Sequence, residues 1–376
     1  MSKKSLSIFV CVFAFIVGIF GGFAGLVYIN TPKTDVVEIS EEVFYGNDDI
    51  VSSNLADISN ADISIHFLEL GNKYTGDCTY IKTETCDILI DCGSKSNSVA
   101  AVSNYLNQYV EDEKFEYVIV THAHQDHYAG FATSGKTKGI FDLYECETVI
   151  DFAGTAAGKT ETALYQKYQT KLTAEISAGA THYTALDCVN GTDEFDIGSG
   201  YTLKILDSFF YHTPDLSNEN NNSVCCLITN GTKNYLFTGD LEADGEAHLV
   251  TLNTLPKVDL YKAGHHGSKT SSSEALLNVI QPKVVCVCCC AGSSEYTTVN
   301  ENQFPTQIFV NNVAKWTDKI FVTSLCLDYK NNKYTSFNGN IVFMDVDGEN
   351  KLWCSNNTTK LKDSEWFAKN RTWPTT

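Results

Sequence analysis

Three histidines and an aspartate crowd six positions of the segment VIVTHAHQDHYAGF, residues 118–131: His122, His124, Asp126 and His127. The chain has only nine histidines, and these three follow directly on an apolar run. Side chains at i and i+2 of an extended backbone project to the same side. His122 and His124 can therefore reach one cation together, while Asp126 and His127 turn toward a second position. Imidazole and carboxylate are ligands for zinc and comparable divalent ions. The competing reading is a solvated polar loop, but loops rarely concentrate such donors by chance. Two later segments weigh the same way. YLFTGDLE ends an apolar run on Gly239-Asp240, and VDLYKAGHHGSKTSSS ends another on His265-His266. Three strand ends that each present donors are what a binuclear site needs. A carboxylate bridges two cations, and water between them deprotonates near neutral pH.

The elements that must hold these ends are legible as short runs rich in β-formers, separated by turns and helical spacings. ISIHFLEL, DCTYIKT, CDILIDCG and FEYVIVT read as the opening strands, with a helix over residues 98–109 before the last of them. Strand ETVIDFA and a helix over residues 160–178 follow. Hairpins turn at residues 198–200 and at Asn230-Gly231. Helices starting near Glu242 and Ser273 then alternate with strands VDLYKAG and KVVCVCC. Helix TQIFVNNVAKW, strand KIFVTSL and a closing hairpin at Asn338-Gly339 complete the chain. Strands in hairpins and then alternating with helices, in two halves, suggest an α/β class with packed sheets and outer helices. His66 alternates within a strand and reads as structural. Ser271, Ser272 and Ser273 read as helix caps rather than nucleophiles. Adjacent cysteines in VVCVCCCA point to opposite faces of a buried strand, where they stand in for Val or Ala. Cys78 and Cys86, which flank a hairpin turn, are the one pair placed to form a disulfide, with free paired-strand positions as the plainer reading.

The signatures THxHxDHxxG, TGD and GHHGSKTSSS, in this order, resemble the metallo-β-lactamase superfamily. The likeness is strongest to the branch with the extracellular metal-dependent domain of the competence channel for DNA uptake, and phosphorylcholine esterases of bacterial surfaces are close to it. The likeness runs from residue 63 to 345. It implies a four-layer αββα sandwich with metals at the sheet edges, and two divalent metals, zinc with manganese as the alternative. It places His122 and His124 on the first metal, Asp126 and His127 on the second, and Asp240 between them. One of His265 and His266 is then a ligand. We take His265, nearer the strand end, as the ligand and His266 as proton donor, with the reverse order open. Asp126 and His266 carry the catalytic roles. Two departures stand out. No histidine occurs in NENNNS, residues 218–223, where many members have one, which leaves Asn222 or water at the first metal. Phe304-Pro305 stands where the competence branch often has His-Pro.

At the N-terminus, Lys3 and Lys4 precede 24 almost wholly apolar residues, 6–29. About 20 such residues cross a bilayer, and flanking lysines stay in the cytoplasm. The expected organisation is an anchor or signal segment at 1–30, an acidic linker at 31–62 and a hydrolase domain at 63–376. The domain would lie outside a single-pass cell-membrane anchor, or be secreted after cleavage. A net charge of −19 opposes general duplex nucleic-acid binding. The expected activity is metal-dependent hydrolysis of a small-molecule or headgroup phosphodiester. A lactone or β-lactam hydrolase and a non-catalytic, metal-stabilised surface module are the alternatives. No feature sets an oligomeric state.

Overall fold

The computed structural model describes residues 51–52, 55–132 and 137–375. The apolar run at 6–29 lies outside them, as does most of the expected linker. Among the described residues, no helix is long and apolar enough to cross a membrane.

Two sheets form an α/β sandwich. The first runs in space Val51–Ser52, Glu349–Cys354, Ile341–Val346, Ile63–Phe67, Thr79–Thr83, Asp87–Ile90, Lys114–Ile119, Glu145–Asp151 and Thr181–Thr184. The second runs Lys333–Ser336, Ile320–Asp328, Val284–Ala291, Leu260–Lys262, Asn234–Phe237, Cys226–Thr229, Thr202–Ile205 and Glu194–Asp196. The sheets meet through rings such as Phe67 against Phe237 and Tyr235 against Phe343. Strand Val284–Ala291 is buried throughout because both its faces are covered. Cys286 and Cys288 join the core between the sheets. Val285, Val287 and Cys289 join a second core with Leu249, Leu276, Leu277 and Phe309 from the covering helices. This alternation is why cysteine serves there as a small apolar residue. Trp366 and Trp373 pack on the second core and Trp353 on a smaller cluster.

Cys78 and Cys86 are both free. The register Thr79↔Ile90 to Lys82↔Asp87 puts them at opposite ends of their hairpin. The folded part also begins before Ile63, since Val51–Ser52 pairs with Lys351 and Leu352 and Ile58 is buried.

Asn338-Gly339 does not close a hairpin. Lys333–Ser336 pairs with Ile320–Asp328 in one sheet, whereas Ile341–Val346 pairs with Ile63–Phe67 and Glu349–Cys354 in the other. The chain changes sheets at this point. Buried Asn338 makes the passage by accepting from Val322 N and donating to the carbonyls of Asn357 and Thr359. An Asn-Gly pair supplies a positive φ for any tight bend, and only the long-range pairing decides between a hairpin and a crossover.

Candidate metal centre

The three donor segments expected from the sequence sit just past strand ends, on the same side of the sandwich. Beyond Lys114–Ile119 the chain is clamped by Asp91, which accepts from Thr121 N and Thr121 Oγ1 at 2.8 Å each. His122 and His127 are fully buried, and His127 lies on the one-turn helix Gln125–Tyr128. Asp240 follows strand Asn234–Phe237 through Gly239, whose φ of 54° belongs to the left-handed region that glycine tolerates. The His-His loop is tied to it by His265 N donating to Gly239 O at 3.2 Å.

Asp240 is the hub. Its Oδ2 lies 3.2 Å from His127 Nε2, 3.4 Å from His266 Nε2, 3.8 Å from His265 Nε2 and 4.0 Å from His122 Nε2. Asp126 Oδ2 lies 3.6 Å from His266 Nε2 and accepts from the Tyr296 hydroxyl at 2.6 Å. His124 Nδ1 faces His122 Nε2 at 3.0 Å. The structure thus brings His122, His124, Asp126, His127, Asp240 and both later histidines to one place. It turns Asn222 away: that side chain accepts from Asp215 N and donates to Asp215 O, so it is not the substitute first-site donor suggested by its sequence position.

Sequence reasoning missed two members. Donor atoms of Asp77, His127, Asp240 and His266 all lie within 4.8 Å of one another. Asp77 also contacts His266 Nδ1 at 3.1 Å and forms an ion pair with buried Lys262. Each had a signal. Asp77 closes a Gly-Asp pair beside a strand, as Asp240 does, and Lys262 interrupts an apolar run where an unpartnered ammonium would be costly.

The two adjacent histidines are unlike. His266 is 1% exposed; its Nδ1 donates to Cys288 O at 2.9 Å, which aims Nε2 at the cluster. The His265 side chain is about one-fifth exposed, with Nδ1 near Thr270 Oγ1 and Glu242 Oε1. The sequence reading took His265, nearer the strand end, as the ligand and left the reverse order open. The backbone buries His266 the more deeply of the two, because His265 and His266 both adopt left-handed φ, 47° and 53°, ahead of Gly267 at 78°. An extended projection past the strand end therefore fails. Such conformations cost about 1–3 kcal/mol each and persist where surroundings over-determine them; here the Phe304 ring packs on both imidazoles.

The donor set fits a cation. Nε2 of His127, Nε2 of His266 and Oδ1 of Asp240 are buried without hydrogen-bond partners, although both imidazole nitrogens face Asp240 Oδ2. Asp77 and Asp240, both buried, share one nearby ammonium, Lys262, while buried Asp91 faces His127. Burial opposes charge on His127 and His266, yet Asp240 with Asp91 or Asp77 raises both well above the ordinary histidine value. Two imidazole protons thus balance the carboxylates, and a dication would displace them. Burial instead holds His122 low, and His124 down to about 4, so both are neutral imidazoles. Asp91 accepts from His127 Nδ1 at 2.7 Å, the outer contact that orients a ligating imidazole.

Residues 71–291 match the family described as the metallo-beta-lactamase superfamily, a span that holds all of these donors. The chain belongs to the metallo-β-lactamase superfamily. Within it, the chain is 33% identical over 96 residues to ComE operon protein 3 of Bacillus subtilis, covering 24% of this chain and 12% of that protein. It is 26% identical over 250 residues to competence protein ComA of Neisseria gonorrhoeae, covering 65% and 29%. It therefore spans under a third of the length of these relatives. Among solved structures, the metallo-beta-lactamase fold protein YhfI from Bacillus subtilis is similar at TM-score 0.40 and 14% identity, over 69% of this chain and 95% of that one.

His66 lies apart from this superfamily centre. It is fully buried between Ser64 Oγ at 2.8 Å and Tyr105 Oη at 2.7 Å, and burial lowers its pKa to about 3. A free histidine titrates near 6.5. The unfolded chain therefore takes up a proton that the folded chain refuses, and stability drains as pH falls from about 6.5 to about 3, by up to about 1.4 kcal/mol per pH unit. His66→Ala should retain its metal, lose about 2–4 kcal/mol at pH 8 from the cavity and stranded partners, and show a shallower acid decline than the parent. Urea titrations at several pH values, with metal analysis, measure this. Parallel declines would remove His66 as the cause.

Proposed function

We propose that this chain is a membrane-anchored, outward-facing metal-dependent hydrolase of phosphodiesters, with zinc or manganese as its cations. The observation that carries the reading is Asp240 Oδ2 with four imidazole nitrogens within 4.0 Å, at the edge of a cavity of about 510 Å³. Lys95 and Lys159 also line that cavity and suit an anionic substrate. Asp77, Asp126, His127, Asp240 and His266 would hold one cation; His122, His124 and Asp240 would hold the other. Cations bound there supply charge neutralisation at the phosphoryl oxygens and an activated water. His265, which lines the cavity, is set to hold a proton for the leaving oxygen. The Tyr296 hydroxyl, bonded to Asp126, helps fix that carboxylate. The apolar run at 6–29, behind Lys3 and Lys4, supports the anchor and its orientation.

Cells expressing the full chain, supplied with manganese or zinc, should cleave bis(p-nitrophenyl) phosphate, and external protease should abolish the activity. Turnover of lactones or β-lactams alone would overturn the substrate class, and protease resistance the orientation. A non-catalytic metal-stabilised module is favoured by one observation, the turning away of Asn222 from the first site. One tightly held metal per chain without hydrolysis of any diester would establish it.

A further inference from the structure

The cavity beside the metal centre is lined on one side by His124, Asp126, Asp240 and His265, and elsewhere by Lys95, Lys159 and Tyr296. The two lysines are unlike. Lys95 lies 3.5 Å from Glu295 and over the Tyr74 ring. Lys159 is half-buried and makes no ion pair among the described residues, in a chain with 46 acidic residues to 27 basic. Glu219 is an acidic side chain in electrostatic reach, but its oxygens are committed: Oε1 accepts from Ala123 N at 2.7 Å and Oε2 from Ala156 N at 2.5 Å.

The same two bonds position the lysine. Glu219, 2% exposed, ties the loop of His122 and His124 to the loop that carries Lys159. Ala157 N donating to Leu216 O and Lys159 N donating to Ala156 O hold that loop further, and Thr162 caps the helix Ala163–Ala178 behind it. A partly desolvated ammonium on a pinned loop gains nothing for the fold without an anion beside it. Its charge also reaches His124, on the first-cation side of the centre. On the hydrolase reading the scissile phosphate would take the cations, which leaves the Lys159 ammonium for a second anionic group of the same substrate. A lysine serves there as a point charge for phosphate.

We propose that Lys159, with Lys95 in the same cavity, forms a subsite for a second, uncleaved phosphate of the substrate. This rests on the phosphodiester reading for the name of the substrate, but its test needs no turnover. Calorimetry on the manganese-loaded full chain would compare thymidine 3′,5′-bisphosphate with thymidine 5′-monophosphate. The parent should prefer the bisphosphate by about tenfold or more, the size of one charge-assisted contact. Lys159→Ala should bring the two affinities together, Lys159→Arg should keep most of the preference, and Lys233→Ala, at a remote hairpin turn, should keep all of it. Equal affinities in the parent, or a preference that survives Lys159→Ala, would overturn the subsite. Absence of diester cleavage with the preference intact would overturn the hydrolase reading alone.

Discussion

Asp240→Ala should lose both cations and lower diester turnover by about 10³-fold or more, the scale of removing metal assistance worth several kcal/mol. The reason is geometric. Asp240 Oδ2 is a carboxylate oxygen within 4.0 Å of imidazoles from both donor sets, His122 on one side and His127 and His266 on the other. Without it each cation would keep its nitrogen ligands but lose the anion shared between them. Asp240→Asn keeps the shape and removes the charge, so it separates electrostatics from packing. Metal content by atomic absorption and turnover by nitrophenolate release should fall together in both variants. Retention of two metals by Asp240→Ala would end the binuclear assignment.

The second large effect separates neighbours. His266→Ala should lose metal and activity together, because its Nε2 is buried without another partner and aimed by Cys288 O at Asp240. His265→Ala should keep its metal and lose about 10²–10⁴-fold in turnover, as for a lost proton donor. That loss should shrink for nitrophenolate, a leaving group that needs little protonation, and grow for an alkoxide. Loss of metal from His265→Ala with retention by His266→Ala would restore the order expected from strand projection. Full metal and activity in both would leave the Gly-His-His-Gly segment as a turn only.

The donor chemistry of the centre was legible in the chain because it is local. His122, His124, Asp126 and His127 are neighbours on one loop, and Gly239-Asp240 and His265-His266 each end an apolar run, so strand periodicity alone brings them to sheet ends. The α/β class was legible for the same reason, as was the structural part of His66, whose place in an alternating strand marks it as a core residue. Asp77 and Lys262 were harder. They are 185 positions apart, and their ion pair helps make the lysine tolerable in the interior.

The sequence by itself determined which groups could bind a cation and that they arrive at strand ends, because side-chain chemistry and strand periodicity are local properties. Tertiary structure alone decided which imidazole is innermost, what Asp77 contacts, and where the chain crosses between sheets. The first depends on two consecutive left-handed residues at 265 and 266, held by Phe304 from a distant segment. The second depends on strand Thr79–Thr83 and strand Leu260–Lys262 lying in sheets that face each other, and the third on Ile341–Val346 finding Ile63–Phe67 in the opposite sheet. Each is a choice among locally acceptable backbones, and long-range packing and pairing make it.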